Sequence, residues 1–210
     1  MVKETSHESE VLGEVFGYIV DRTLGLGRVP PTFVISESAE GENIRFRTFQ
    51  LFIPDTKALI EARAHFTSAM NSGELSDCAL LDAILDNPDR HSGNVIYKRE
   101  NVEERDRWYY IDHGISDMKT PVAEAIRRLT PKDIKNLGEL FPDAVERLYS
   151  VAEGSALEEA QDFWGSQVFV GGPPGDFNEA YESIVQRIRA AAAKVMRSKA
   201  GEAGEADEER

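Results

Sequence analysis

Asp89, Asn94 and Asp112 are three oxygen-bearing side chains at spacings that suit phosphoryl transfer. Asp89 and Asn94 share one polar loop, Asn87-Pro88-Asp89-Arg90-His91-Ser92-Gly93-Asn94, and Asp112 ends the apolar run 108–111, immediately before His113-Gly114. Phosphoryl transfer asks for one carboxylate to orient a nucleophile, and for an amide and a second carboxylate to hold hard cations. A loop anchored between a helix and a strand holds Asp89 where it can orient an attacking hydroxyl. Asn94 offers a neutral amide oxygen to Mg²⁺ and Asp112 a charged one. His91 is a candidate for touching the transferred group, for acting as a base, or for bracing the loop. Arg90 reads as structural, pairing a carboxylate or a backbone carbonyl, and His113 as packing against the hairpin.

Other chemistries fit less well. A metal-dependent hydrolase could draw on Asp89, His91, Asp112 and His113 to activate water, but such sites use histidines at fixed helical offsets, and His7 and His65 lie in unrelated contexts. Cys78, the single cysteine, has no CxxC or HxxxH partner for zinc. It has no intrachain disulfide partner and falls in an apolar helical pattern, which reads as a buried residue in a reducing compartment. The glycine-proline run 171–175 is a poor phosphate cradle, because no Lys-Ser/Thr pair follows it. The net charge of −14 argues against nucleic acid or anionic lipid as partner. With a polar N-terminus and no apolar run of about 18 residues, the expectation is a cytoplasmic protein with no membrane span.

Hydrophobic periodicity supplies the elements that position these residues. Val11, Leu12, Val15, Phe16, Ile19, Val20 and Leu24 repeat at helical spacing over residues 9–24, and Gly25 and Gly27 stop that helix. Strands are expected at 32–36 and 44–53. Helices follow at 57–70, broken by Asn71-Ser72-Gly73, and after Ser76, which can cap the next one. Residues 94–97 and 108–111 form a hairpin joined by a charged connection. The remainder reads as helix, with N-cap-plus-proline starts at Thr120-Pro121 and Thr130-Pro131 and a last helix over 177–197. The fold class is therefore α+β: a small sheet-bearing lobe over 1–55, a helical lobe over 56–198 that carries the polar loop and hairpin, and a disordered acidic tail over 199–210.

The pair Asp89-Arg90-His91-x-x-Asn94 and Ile111-Asp112-His113-Gly114 resembles the catalytic and metal-binding motifs of the atypical kinases, among them phosphatidylinositol 3/4-kinases, HipA-type kinases and secretory kinases related to four-jointed. Residues 14–31, from Glu14-Val15-Phe16-Gly17-Tyr18 to Arg28-Val29-Pro30-Pro31, resemble the helix-to-strand passage of the last group. The resemblance implies a protein-kinase-like fold with a truncated N-lobe and a larger helical C-lobe, and an ATP- and Mg²⁺- (or Mn²⁺-) dependent phosphotransferase. Asp89, with His91 beside it, would be catalytic, and Asn94 and Asp112 would hold the metal. Glu14 would pair with the ATP lysine, for which Lys3 is the candidate. Gln50, Phe52 and Ile53 would form the hinge that meets adenine. A protein hydroxyl fits the acidic surface better as acceptor than an inositol lipid. One feature departs from the pattern: no glycine-rich hairpin precedes Lys3. The chain is then a later segment of a longer kinase, a minimal member, or a degenerate nucleotide-binding or interaction module without catalysis.

Overall fold

The structure is a computed structural model that describes residues 2–5, 7–38, 44–54, 56–58, 63–98 and 107–208. It is mixed α+β. Strand β1 (Val2–Thr5) leads into helix α1 (Glu8–Leu24), followed by β2 (Thr32–Ser38) and β3 (Ile44–Gln50). The short β4 (Lys57–Ala58) precedes α2 (Arg63–Ser72) and α3 (Ser76–Leu85), then β5 (Val95–Lys98) and β6 (Arg107–Tyr110). The rest is α4 (Val122–Arg127), α5 (Pro131–Leu140), α6 (Pro142–Glu153), α7 (Ala156–Glu159), α8 (Gln161–Val168), β7 (Phe169–Val170) and α9 (Phe177–Glu208).

Helix α1 forms where its apolar stripe predicts. It carries Glu8 and Glu10 in its first turn, where the helix dipole favours acids, and ends on Gly25 at φ 67°, a left-handed conformation that suits glycine. Val11, Val15, Phe16 and Val20 are fully buried. They join Phe46 and Val34 of the sheet and the apolar faces of α3 and α9 in one core. Burying an aliphatic or aromatic side chain of this size stabilises a fold by about 1.5–3 kcal/mol, so α1 is held by its core face more than by helix propensity.

The first sheet has the order β1-β3-β2-β7. β1 and β2 both run antiparallel to β3, with Lys3 opposite Thr48 and Val34 on the other side of the same residue. Lys3, Thr48 and Gln50 therefore lie on one face, and Thr48 and Gln50 are buried there. The second sheet, β4-β5-β6, contains the expected hairpin, with Val95 opposite Tyr110.

Several expectations need correction. Residues 57–58 are not helical: they pair with Tyr97 and Ile96 as an edge strand, and the helix begins at Arg63. Ser76 does not cap α3; Leu75 occupies the N-cap position without a side-chain bond, and Ser76 is the first, buried helical residue. Thr130 does cap α5, in a reciprocal box with Asp133, whereas Pro121, not Thr120, is the N-cap of α4. β1 and β7 were not expected; each is short, and each is stabilised by pairing across the sheet rather than by local pattern. The backbone of α9 remains helical to Glu208, into the stretch expected to be a disordered tail, where Ala and Glu are strong helix formers. Residues 39–43, between β2 and β3, lie outside the described residues, as does the connection between β5 and β6.

A buried polar network ties the end of α1 to α3 and the second sheet. Asp77, at the start of α3, accepts from Arg28 Nε at 2.8 Å and from the Tyr110 hydroxyl at 2.6 Å. Asp21 accepts the backbone N–H of Arg28 at 2.7 Å, while its second oxygen is buried without a partner. Burial pushes the Asp21 carboxyl from its ordinary 3.8 up to about 6. The folded protein thus holds a proton between about pH 4 and 6 that the unfolded chain has released, and stability falls as pH rises through that window. Asp21→Asn keeps the acceptor oxygen and removes the charge. We expect it to raise stability at pH 7.5 by about 2–3 kcal/mol, with the gain vanishing near pH 4. Urea denaturation at both pH values checks this; an equal effect at the two would show that the charge is not the cause.

Candidate functional site

The loop after α3 holds Asp89 by its backbone. The Asn87 side-chain oxygen accepts the Asp89 N–H at 3.0 Å, and the Asn94 amide donates to the Asp89 carbonyl at 3.0 Å. The peptide of Asp89 is pinned at both ends, while its side chain stays 40% exposed. His91 Nε2 lies 3.8 Å from the Asp89 carboxylate, and His91 Nδ1 accepts the Gly93 N–H at 2.9 Å. The second contact is a loop brace, and it leaves Nε2 as the nitrogen available to a ligand.

Asn94 is buried, and its amide N–H group is already used. The Ile111 N–H donates to the Asn94 carbonyl at 3.1 Å, which extends the β5–β6 ladder by one rung. Asn94 is therefore opposite Ile111 and next to Asp112. Asp112 has φ 59°, a left-handed conformation that Asp and Asn tolerate better than most residues and that commonly marks a functional turn.

Arg90 fastens these parts to one another. Its guanidinium donates to both oxygens of Asp82 at 2.8–3.0 Å, to the carbonyls of Asn94 and Ile111 at 2.9 and 2.8 Å, and to His113 Nδ1 at 3.0 Å. Burial, with the Arg90 charge beside it, holds the His113 imidazole well below its ordinary pKa. His113 is neutral, with Nδ1 as acceptor and Nε2 protonated toward the Tyr110 carbonyl at 3.4 Å. A fully buried imidazole facing a guanidinium is no metal ligand, and among the described residues no group of three His, Cys, Asp or Glu side chains is placed to hold a metal. The hydrolase reading falls on this. The zinc reading falls with it: the Cys78 thiol is buried 3.4 Å from Asp82, and burial pushes its pKa well up, so it stays protonated.

The remaining site residues come from the first sheet and α1. Lys3 Nζ is 2.5 Å from Glu14 Oε1 and 2.6 Å from Asp112 Oδ1. Glu14 is buried, while Lys3 and Asp112 are partly exposed. Burial alone would lower the Lys3 pKa, but hydrogen bonds to Asp112 and Glu14 and their charges raise it above its ordinary value. Two glycines on α1 allow this approach. A Cβ on Gly13 would collide with the His113 carbonyl, and one on Gly17 would lie 2.7 Å from the His113 ring. The turn after β6 seats in the groove they leave, which sets Asp112 beside Glu14. The pair of glycines at i and i+4 inside an apolar helix was the available signal, and it escaped the reading of the sequence.

Lys3, Glu14 and Asp112 thus meet directly, and Asp89, His91 and Asn94 share the adjoining loop. The hinge candidates are joined to these less closely. Gln50 shares a sheet face with Lys3 and donates to Thr32 Oγ1 at 3.2 Å. Phe52 is 74% exposed, and the Ile53 carbonyl accepts from Thr56 Oγ1 at 3.0 Å.

The donor set suits a particular kind of metal binding. Asn94 has its N–H end engaged and its oxygen end uncommitted, and Asp112 places one oxygen on Lys3. One amide and one carboxylate fit Mg²⁺ or Mn²⁺ held largely by substrate phosphates and water, and do not make an all-protein cage. No protein-family model matches the chain, and no curated protein matches it.

Proposed function

We propose that this protein is an ATP- and Mg²⁺-dependent phosphotransferase with an atypical kinase-like fold, acting on a hydroxyl of a protein acceptor. The observation that carries the reading is the Lys3 ammonium held between Glu14 and Asp112. Lys3 and Glu14 come from a strand and a helix 11 residues apart, and Asp112 from a hairpin end 109 residues beyond Lys3. A lysine fixed between a helix carboxylate and a turn carboxylate is preorganised to meet nucleotide phosphates. In this reading the sheet β1-β3-β2 with α1 is the small lobe, and the helices from α2 onward with the β5–β6 hairpin are the large one.

Asp89 then orients the acceptor hydroxyl, its backbone fixed and its carboxylate partly exposed. Asn94 and Asp112 bind the divalent cation, which when present offsets phosphate charge. Lys3 contacts the α- and β-phosphates with Glu14 as its anchor. His91 borders the site and braces the loop through Gly93. Gln50, Phe52 and Ile53 line the side where adenine sits.

A second reading, a nucleotide-binding or interaction module without catalysis, also has an observation in its favour. Among the described residues β1 pairs with β3 alone, so no strand covers Lys3, and the Asp112 side chain is 44% exposed.

Thermal denaturation with ATP and Mg²⁺ tests the nucleotide site. A ligand at 100 times its dissociation constant stabilises the native state by about 2.7 kcal/mol, which for a chain of this size raises Tm by about 5–10 °C. We expect that rise with ATP and Mg²⁺ together and a much smaller one with EDTA. No metal-dependent rise at millimolar nucleotide would overturn the phosphotransferase reading and leave, of the second, only the interaction module. A rise without γ-phosphate transfer to any protein acceptor would leave the second.

A further inference from the structure

Arg187 of α9 is fully buried, and no step proposed above uses it. A buried guanidinium is costly unless its N–H groups are met, and what it meets here is backbone. Nη1 donates to the Ile84 carbonyl at 3.1 Å, and Nη2 to the carbonyls of Asp117 and Thr120, each at 2.8 Å. Nε is buried without a partner. The side chain is seated for those three carbonyls and not for its own full pairing.

Each carbonyl takes its donor from outside its own segment. Ile84 lies in the last turn of α3, where the residue four ahead is Pro88, which has no N–H to give. Asp117 and Thr120 lie between β6 and α4, in a stretch without helix or strand. Ser183, one turn before Arg187 on the same helix, donates to the Met118 carbonyl of that stretch at 3.0 Å. The Asp117 N–H reaches the Asp86 carbonyl at 3.4 Å. One side chain thus joins the segment that enters the Asp89 loop to the segment that leaves the Asp112 turn. Arg90 joins the loop and the turn themselves. We propose that Arg187 is a positioning residue: with Ser183 it clamps the flanks of the site, and so fixes the separation of the Asp89 carboxylate and the Asp112 turn. The effect on transfer rests on the phosphotransferase reading; the clamp itself does not.

The test reads the two apart. Amide hydrogen exchange of the full chain without nucleotide is compared for wild type, Arg187→Met, Arg187→Lys and Ser183→Ala, and the same proteins are assayed for transfer with ATP and Mg²⁺. In Arg187→Met we expect exchange at least about tenfold faster over residues 86–94 and 113–120, with the amides of β2 and β3 unmoved. Lysine keeps the charge but not the fork that spans two segments, so Arg187→Lys should give a smaller rise in both. Ser183→Ala should loosen 113–120 alone. In Arg187→Met kcat should fall about 10²-fold, because a misplacement of about 1 Å at the reacting groups costs that much. KM for ATP should stay within about threefold, since Lys3 keeps Glu14. Unchanged exchange in the two segments overturns the clamp. An equal rise in β2 and β3 confines Arg187 to general stability and overturns the proposal too. Should Arg187→Met fail to fold, Arg187→Lys and Ser183→Ala are judged by the same outcomes. Paired loosening in a protein that transfers no phosphate keeps the clamp and overturns the phosphotransferase reading. Transfer undiminished in a loosened Arg187 variant overturns the positioning role and leaves that reading standing.

Discussion

Asp112→Asn should abolish most phosphate transfer while leaving the fold intact. The backbone at this position has φ 59°, and asparagine is, with aspartate, among the few non-glycine residues that accept it readily. Asparagine also keeps an oxygen 2.6 Å from Lys3, and Lys3 retains Glu14 as a charged partner. What the variant loses, in the proposed mechanism, is one negative charge at the point where a divalent cation is held against phosphate. Charge stabilisation of that kind contributes several kcal/mol to transfer, and each 1.36 kcal/mol is tenfold in rate. The expected loss is therefore about 10³-fold in kcat, with Tm in the absence of nucleotide within about 2 °C of wild type. The metal-dependent part of the ATP-induced rise should disappear as well. Asp89→Ala should reduce transfer by about 10²–10⁴-fold yet retain the ATP-induced rise, because in the proposed mechanism it removes only the group that faces the acceptor. If Asp112→Asn transfers phosphate at the wild-type rate, Asp112 is not a metal ligand and the reading of this turn is wrong.

The parts of this site differed in how far local sequence disclosed them. Asp89, Asn94 and Asp112 were visible because a polar loop and a strand end stand out against apolar neighbours, and helix α1 because its stripe recurs over four turns. The hairpin was legible from its alternation. β1 was not: Val-Lys-Glu-Thr has a single apolar residue, and its strand geometry comes from β3, more than forty residues away along the chain. Lys3 could be proposed only by resemblance for the same reason, since nothing local says that its ammonium reaches Asp112. The network of Asp21, Arg28, Asp77 and Tyr110 was hidden by the same distance. Each of those residues looks like an ordinary surface polar group until three segments close around it. The β4 edge strand was misread as helix because two residues carry no period, and their conformation is fixed by Ile96 and Tyr97 across the ladder.

Arg90 is where fold and site depend on a single side chain, and its removal should have the largest effect on stability. Its side chain is only 12% exposed, as is that of Asp82, and the Nε–Nη2 edge of the guanidinium meets both oxygens of the carboxylate. Arg90→Met leaves Asp82 buried without its counter-charge and strips donors from the Asn94 and Ile111 carbonyls. Breaking a buried pair from one side costs about 3–5 kcal/mol, which for this chain length lowers Tm by about 10 °C or more. Replacing both partners, Arg90→Met with Asp82→Leu, removes the stranded charge and should recover part of the loss, because a buried ion pair is worth less than the penalty for halving it. Arg90→Lys keeps a charge but not the planar fork that reaches two carbonyls and a carboxylate together, so it should fall between wild type and Arg90→Met. His113 supplies a readout specific to the site. Its pKa is held down by burial and by the Arg90 charge, so removal of that charge should raise it, observable as a shifted imidazole titration by NMR. The same variant loosens the clasp between the Asp89 loop and the Asp112 turn, and ATP affinity should fall with stability. A variant that loses stability but binds ATP as wild type would confine Arg90 to the fold. One that keeps full stability would show that the Asp82 pair does not hold the loop at all.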